Sequence, residues 1–491
     1  MIYDVYKKIF IFIMLVLLLC SSMTQASNME NGKQTSDDTS KDISSNIVCQ
    51  MGPVGENDNS SIYQLLVIAP SRFKKALQPL ILHKNRMGVS SRLVTLDEVY
   101  DQMYWKGRDD AEKIKYFIKT AVEEWGVKYV LLVGGMKGQW GKWYVPVRYV
   151  HMDDGWEDKF ITDLYYADIY DSNGNFSTWD SDNDGIFGEW YEDKAEDEGI
   201  DLYPDVCVGR LPCRNVFEVK IVVKKIIDYE TKTFGKDWFG DMLVVAGDTY
   251  PESQNPNWTG YEGEYYAERA LENMTGFNPV RLYASDGSFS KQSDVIKALS
   301  KGCGFVYFVG HGNPTTWGNH PPNSTSFITG LKVWSMYRLR NHGRFPVCVV
   351  SGCHNCQFDV SILRFFNKTG RYRGEATPEC WGWWLTRKIG GGAIATIGCT
   401  ALGYTKEDKI SFDGGLNWLE VEFFRSYGQK HIHVLGETWA EAVSSYIDTF
   451  PIDWNSSAKN DSFIDAKVVE SWNIIGDPSL MIGGYPQDIN S

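Results

Sequence analysis

The chain has 491 residues, 43% hydrophobic and 23% charged, a globular composition with room for two to three domains. Its net charge of −14 argues against nucleic acid or an anionic membrane as partner, since both call for basic patches. A chain this long buries a sizeable core without disulfide staples.

The N-terminus reads as a targeting segment. Lys7 and Lys8 precede an apolar run, Ile9 to Leu19, that is short for a bilayer span. Thr24 and Ala26 then supply small residues for cleavage, so residues 1–26 are expected to be a signal peptide and the mature protein to be secreted. An uncleaved membrane anchor is the alternative; Leu19 before Cys20 disfavours a lipoprotein. No other stretch has the length and apolarity of a transmembrane helix. Beyond Cys20 nine cysteines remain, an odd count that leaves at least one thiol free or paired between chains. Sequons at Asn257, Asn273, Asn323 and Asn367 fit export weakly.

Residues 27–60 are polar and poor in aromatics, the composition of a disordered linker or short pro-segment. From IYQLLVIAP (62–70) apolar strand patterns alternate with amphipathic helix patterns such as DDAEKIKYFIKTAVEEWG (109–126). That alternation predicts βαβ units and a parallel sheet. An acidic, turn-rich excursion over 163–201 interrupts it. Strand and helix resume with DVCVGRLP and VFEVKIVVKKIIDYETKTF, and alternate again from Asp241. The expected fold is α/β, two consecutive mostly parallel sheets flanked by helices. The first occupies 61–236 and the second, catalytic one 237–485, with a tail at 486–491. The two halves are expected to form a monomer.

Three chemically useful side chains stand where apolar strands of the second half run out. Asp248 ends MLVVAGD, His311 follows FVYFVG, and Cys353 follows CVVSG. A parallel sheet puts such ends at one edge, where ligand sites lie. A thiol beside a histidine can lose its proton and attack, with a carboxylate orienting the histidine. The amides of Gly312 and Cys353 would then form an oxyanion hole. Taken singly, His311 is a satisfied loop histidine, Cys353 a structural thiol and Asp248 a turn cap; their joint placement favours chemistry.

The CxxC in SGCHNCQFD (351–359) also permits a thiol–disulfide oxidoreductase using Cys353 and Cys356. Such a motif, though, normally opens a helix after the first strand of its fold. Zinc is disfavoured, because no second CxxC or HxxxH stands at a partner spacing and HIH at 431–433 is isolated.

DSDNDGIFGEWYED (180–193) begins like a calcium loop. Asp180, Asp182 and Asp184 take positions 1, 3 and 5, Gly185 allows the turn, and Ile186 would offer its carbonyl. Tyr191 stands where a bidentate Glu is required, so Glu189 or Glu192 must close the shell. A structural Ca2+ is expected there, and no organic cofactor.

VGHGNPTTW around His311, VVSGCHNCQFD around Cys353, YPDVCVGRLP and IIGDPSLMI together resemble the gingipain-like cysteine peptidases, relatives of caspases and legumains. The resemblance runs over roughly 62–483. It implies a two-part α/β catalytic unit with a caspase-like second part, acting on protein or peptide substrates. It makes Cys353 the nucleophile and His311 the general base. Asp248 falls where the family has an acidic residue orienting the histidine, with Asp in place of Glu. It implies an S1 carboxylate at Glu262, with Glu264 second, an aromatic wall near Tyr404, and a preference for Arg or Lys at P1. Trp383 and Trp384 are expected in the core. Bound calcium is a family feature too. The immunoglobulin-like, sorting and large pro-domains of the best-known members are not expected here, and Cys356 replaces a small residue, which would permit a Cys353–Cys356 redox lock. A catalytically dead calcium-binding surface homologue is the non-enzymatic alternative.

Overall fold

Residues 63–191, 194–253, 260–405 and 412–486 are described by the computed structural model. The expected leader, the linker and Glu192 lie outside them, as does nearly all of the tail.

Ten strands carry the fold: β1 (Leu65–Ala69), β2 (Ser91–Thr95), β3 (Tyr129–Val133), β4 (Cys207–Leu211), β5 (Asp241–Ala246), β6 (Asn278–Tyr283), β7 (Phe305–Val309), β8 (Val347–Ser351), β9 (Ala395–Cys399) and β10 (Trp472–Ile475). Every residue of β1, β3, β7, β8 and β9 is buried, as strands covered by helices on both faces must be. The helices between them start where the sequence supplies caps. Asp109 accepts from the Glu112 amide to open Asp110–Trp125, and Gly126, at φ 71°, closes it. Asn215 opens Val216–Lys232 in the same way.

The two halves expected from the alternation are joined in one sheet, in the order β2-β1-β3-β4-β10-β9-β8-β7-β5-β6. The joint is β10, from the last segment of the chain. It pairs antiparallel with β9 and touches β4 in parallel through Ile475 and Arg210. All other pairings in this sheet are parallel. The halves therefore run in opposite directions, and their strand C-termini lie at opposite edges. The acidic excursion is entered through a segment that crosses back from the first half to the second. The Ile161 carbonyl accepts from the Thr400 hydroxyl, and Glu157 Oε1 from the Leu402 amide, just past the end of β9. Aromatic side chains anchor it, with Tyr165, Tyr166, Trp179 and Trp190 all buried. Trp383 is buried as expected, and Trp384 is half-buried. No helix among the described residues is long and apolar enough to cross a membrane.

The closing GDPSL turn is clasped by charge. Lys84 Nζ lies 2.7 Å from Glu230 and 2.9 Å from Asp477, all buried, and His83 adds a 2.7 Å contact to Glu230. The two carboxylates hold the Lys84 ammonium charged despite the opposing effect of burial. Glu230→Ala leaves this cation half-paired in the interior and should cost about 3 kcal/mol in denaturant unfolding, with Lys84→Met in the same chain recovering part of the loss.

Candidate active site

The site is assembled at the C-terminal ends of β5, β7 and β8. β7 and β8 pair in parallel, with Val309 opposite Ser351, so they end level. His311 then opens a short antiparallel ribbon with Thr316–Asn319, and Gly352 leads straight into Cys353. The backbones of the two loops touch: a Cβ on Gly352 would come 3.1 Å from the nitrogen and Cα of Gly312. His311 and Cys353 line one cavity, with Thr249, Tyr250, Tyr266 and Asn417 among its other walls.

The structure brings the sequence-predicted dyad together. Cys353 is partly exposed, and its sulfur accepts from the Gly403 amide at 3.4 Å. Burial pushes its thiol pKa up, against the pull of that amide. Burial also lowers the His311 pKa, and the neighbouring His320 ring, 5.1 Å away, adds to the effect. Both shifts favour the uncharged forms of thiol and imidazole. His311 Nε2 lies 2.8 Å from the Thr249 carbonyl oxygen. A carbonyl only accepts, so Nε2 carries the proton and Nδ1 keeps the lone pair of a base.

Asp248 does not contact His311. Its backbone bridges His320, its Oδ2 accepts from the Asn323 amide at 2.6 Å, and its carboxylate stands beside that of Glu262. The orienting group is the next residue's carbonyl, because the chain turns at the end of β5 and aims Thr249 O at the ring. Glu262 is buried at the start of a helix and accepts from the Tyr250 amide. Burial first, and then Asp248, pushes its pKa up to about 7. It stands behind Thr249 and Tyr250 and is not a wall of the cavity. Glu264 is taken up by the Ser285 amide. The Tyr404 hydroxyl donates to Asp154 at 2.6 Å and its ring covers Lys467, while Gly403 and Thr405 on either side line the cavity.

Three contributors escaped the sequence reading. Thr249 and Gly403 act through backbone atoms, which no side-chain pattern announces. Asn355, read as a flanking loop residue, is wholly buried between the two catalytic loops. Cys356 points into the core: its sulfur would lie 2.6 Å from a Cβ on Gly382 and 2.8 Å from one on Gly398. Cys353 and Cys356 are both free thiols.

In the acidic excursion, carboxylate oxygens of Asp180, Asp182 and Asp184 lie within 4.8 Å of one another. Asp180 also accepts from the Asp184 and Gly185 amides and pairs with Arg108 at 2.6 Å. Glu189 is buried nearby, with its pKa raised to about 7 by burial, then by Asp184 and Asp197. Ile186 donates its amide to Asp184. This hard-oxygen set suits a divalent cation, with Arg108 meeting part of the charge.

A family model described as peptidase family C25 matches residues 58–483. Gingipain R2 of Porphyromonas gingivalis is 19% identical over 434 residues, which cover 88% of this chain and 47% of that protein. Lys-gingipain of the same organism is 24% identical over 364 residues, covering 72% of this chain and 16% of that protein. The chain thus spans about half or less of the length of these curated relatives. The crystal structure of the Arg-specific cysteine proteinase gingipain R matches with a TM-score of 0.57 at 19% identity, over 88% of this chain and 80% of that one. The complex of RgpB pro- and mature domains from P. gingivalis gives 0.56 at 18% identity, over 85% and 79%. The likeness establishes the shared fold.

A raised thiol pKa has a direct readout. Brief iodoacetamide treatment of the native protein should label Cys353 and spare Cys356. The Cys353 rate should climb about tenfold per pH unit between pH 7 and 9, the slope of a thiol titrating above the ordinary value of about 8.5. A rate already level at pH 7 would mean a resting thiolate.

Proposed function

The chain belongs to peptidase family C25, and on that premise we propose that it is a secreted cysteine endopeptidase working through Cys353 and His311. The observation that carries this reading is the convergence of the Cys353 thiol and the carbonyl-oriented His311 imidazole on one cavity. His311 Nδ1 takes the thiol proton as Cys353 Sγ attacks the scissile carbonyl. The amides of Gly312 and Cys353 receive the oxyanion, and the protonated imidazole gives its proton to the leaving amine. Water, activated by the same nitrogen, then cleaves the thioester.

A basic P1 side chain is the substrate preference this reading favours. The relatives' names include Arg-specific and Lys-specific peptidases. Behind Thr249 and Tyr250 the Asp248–Glu262 pair keeps a net negative charge once Asp248 is ionised, next to a cavity whose described walls hold no carboxylate. The thiol–disulfide reading is disfavoured by the placement of Cys356, whose sulfur packs against Gly382 and Gly398 in the core. For the excursion we propose a structural Ca2+ held by Asp180, Asp182, Asp184 and Glu189.

Cys353→Ala and His311→Ala should each lower kcat/KM by about 10³-fold or more, with Cys356→Ala within about threefold of wild type. Equal loss in both cysteine variants would sink the peptidase assignment. On peptides with Arg, Lys, Asn or Ala at P1, Asp248→Asn should raise KM for the basic pair by about tenfold and leave the others unchanged, the loss of about one charge interaction. An unaltered preference would move specificity elsewhere.

Calcium is tested separately. Millimolar Ca2+ should raise the thermal midpoint of wild type, and a chelator should reverse the shift. Asp182→Ala, an exposed ligand position, should remove the response. A midpoint indifferent to calcium in wild type would dismiss the ion.

A further inference from the structure

We propose that Asn355 is a positioning residue for this reaction. Its side-chain amide locks the loop bearing His311 and Gly312 to the loop bearing Cys353, and so sets the path of the proton and the place of the Gly312 amide. The inference rests on the peptidase reading.

Asn355 lies two residues past the nucleophile and is wholly buried. Its Nδ2 donates to the Asn313 carbonyl at 2.7 Å and the Thr316 carbonyl at 3.2 Å. Those two carbonyls flank the turn of the ribbon that begins at His311. Two carbonyls can only accept, so the NH2 must face them, and Oδ1 must face the other way. There it finds no N–H or O–H donor. A Cβ on Gly312 would come within 2.2 Å of this oxygen, and one on Gly352 within 2.3 Å. A Cα–H of each glycine therefore points at Oδ1, a weak donor that admits no side chain in its place. One planar amide thus holds the ribbon with its nitrogen and meets both loops with its oxygen.

The base of the bracket is rigid. The Asn355 carbonyl accepts from the Gly382 amide at 2.8 Å, where the helix Trp381–Arg387 begins. The residues on either side bond to the end of β9, His354 N to Ala401 O and Cys356 N to Cys399 O. The ribbon is the element that hangs from it. Trp317 Nε1 also ties the ribbon, to Ser351 O at 3.1 Å. Loss of Asn355 therefore tilts His311 and Gly312 without detaching them. Displacements of about 1 Å in a reacting geometry cost about 10²-fold in rate.

Asn341 is the control. It is equally buried and donates to the Arg344 and Gly392 carbonyls at 2.8 and 2.7 Å, bonds that join segments other than the His311 ribbon and the Cys353 loop. With active sites counted by thiol titration in the full chain, Asn355→Ala should lower kcat by about 10²-fold with KM within about threefold. Its affinity for a peptide aldehyde, whose hemithioacetal oxygen occupies the oxyanion site, should fall in parallel. Asn341→Ala should melt earlier yet keep kcat per titrated site. Asn355→Asp keeps the shape and carries the test if the alanine variant does not fold. Only its protonated form can donate to a ribbon carbonyl, so its kcat relative to wild type should climb as pH falls from 8 towards 5.

Asn355→Ala retaining kcat within about threefold, Asn341→Ala losing as much, or a flat Asp-to-wild-type ratio would each overturn the proposal. Absence of peptide turnover in wild type would instead refute the peptidase reading. The Asn355 bracket would then be judged by the pH profile of Cys353 alkylation, which must shift in both Asn355 variants; an unmoved profile overturns it.

Discussion

Everything at the site follows from the level ending of two buried parallel strands. β7 and β8 are apolar throughout because helices cover both faces of the sheet, and their register sets Val309 opposite Ser351. The first polar side chains after them must therefore emerge side by side. Glycines at 310, 312 and 352 follow from the same constraint, since loops leaving adjacent strands collide unless they lack side chains. At Gly310 a Cβ would sit 2.7 Å from the Gly318 carbonyl, and at Gly312 and Gly352 it would strike Asn355. Sterics and chemistry thus select the same short motifs, GHG and SGC.

The reversal at β10 explains why the first half matters to a site it does not own. Its strand C-termini point to the far edge, yet the segment entering its acidic excursion returns over the sheet to buttress the cavity. Asp154 and Glu157 bracket the buried Lys467, Glu157 holds the Leu402 amide, and Asp154 holds the Tyr404 hydroxyl. Between those two anchored residues stands Gly403, the donor to Cys353. A buried ammonium flanked by two carboxylates is tolerated only where the geometry is closely met. This cluster makes the wall stiff and couples it to the fold of the excursion, including the acidic loop beyond.

The α/β class and the catalytic edge were legible because they depend on period and on side-chain chemistry at strand ends, both written in the residues. Cys353 and His311 stood out for that reason. The merger of two sheets into one was not legible, since WNII is too short to announce its direction or its neighbours. Backbone contributors such as the Thr249 carbonyl leave no mark in composition. Asn355 looks like any loop asparagine until the carbonyls of a ribbon some forty residues earlier are placed beside it. Glu262 and Tyr404, which the resemblance put in the S1 pocket, are not walls of this cavity; they bond to the Tyr250 amide and to Asp154. The aspartate spacing at 180–184 was readable, whereas Arg108, which meets its charge, comes from a different element.

The use of a carbonyl in place of a carboxylate on His311 bears on how the dyad works. A carboxylate against the ring would stabilise imidazolium and raise the histidine pKa, favouring a resting ion pair with the thiolate. The Thr249 carbonyl fixes orientation and tautomer while carrying no net charge, so burial prevails and the pKa falls. Burial acts on the thiol in the matching direction, upward. Asp248 is bonded to the Asn323 amide instead of the ring, and its charge is not the one the ring meets. On the proposed mechanism both groups start uncharged, and charge separates only as the sulfur attacks, when the Gly312 and Cys353 amides would have an oxyanion to stabilise. In such a dry site the alignment of Nδ1, sulfur and amides governs the barrier more than resting thiolate content does.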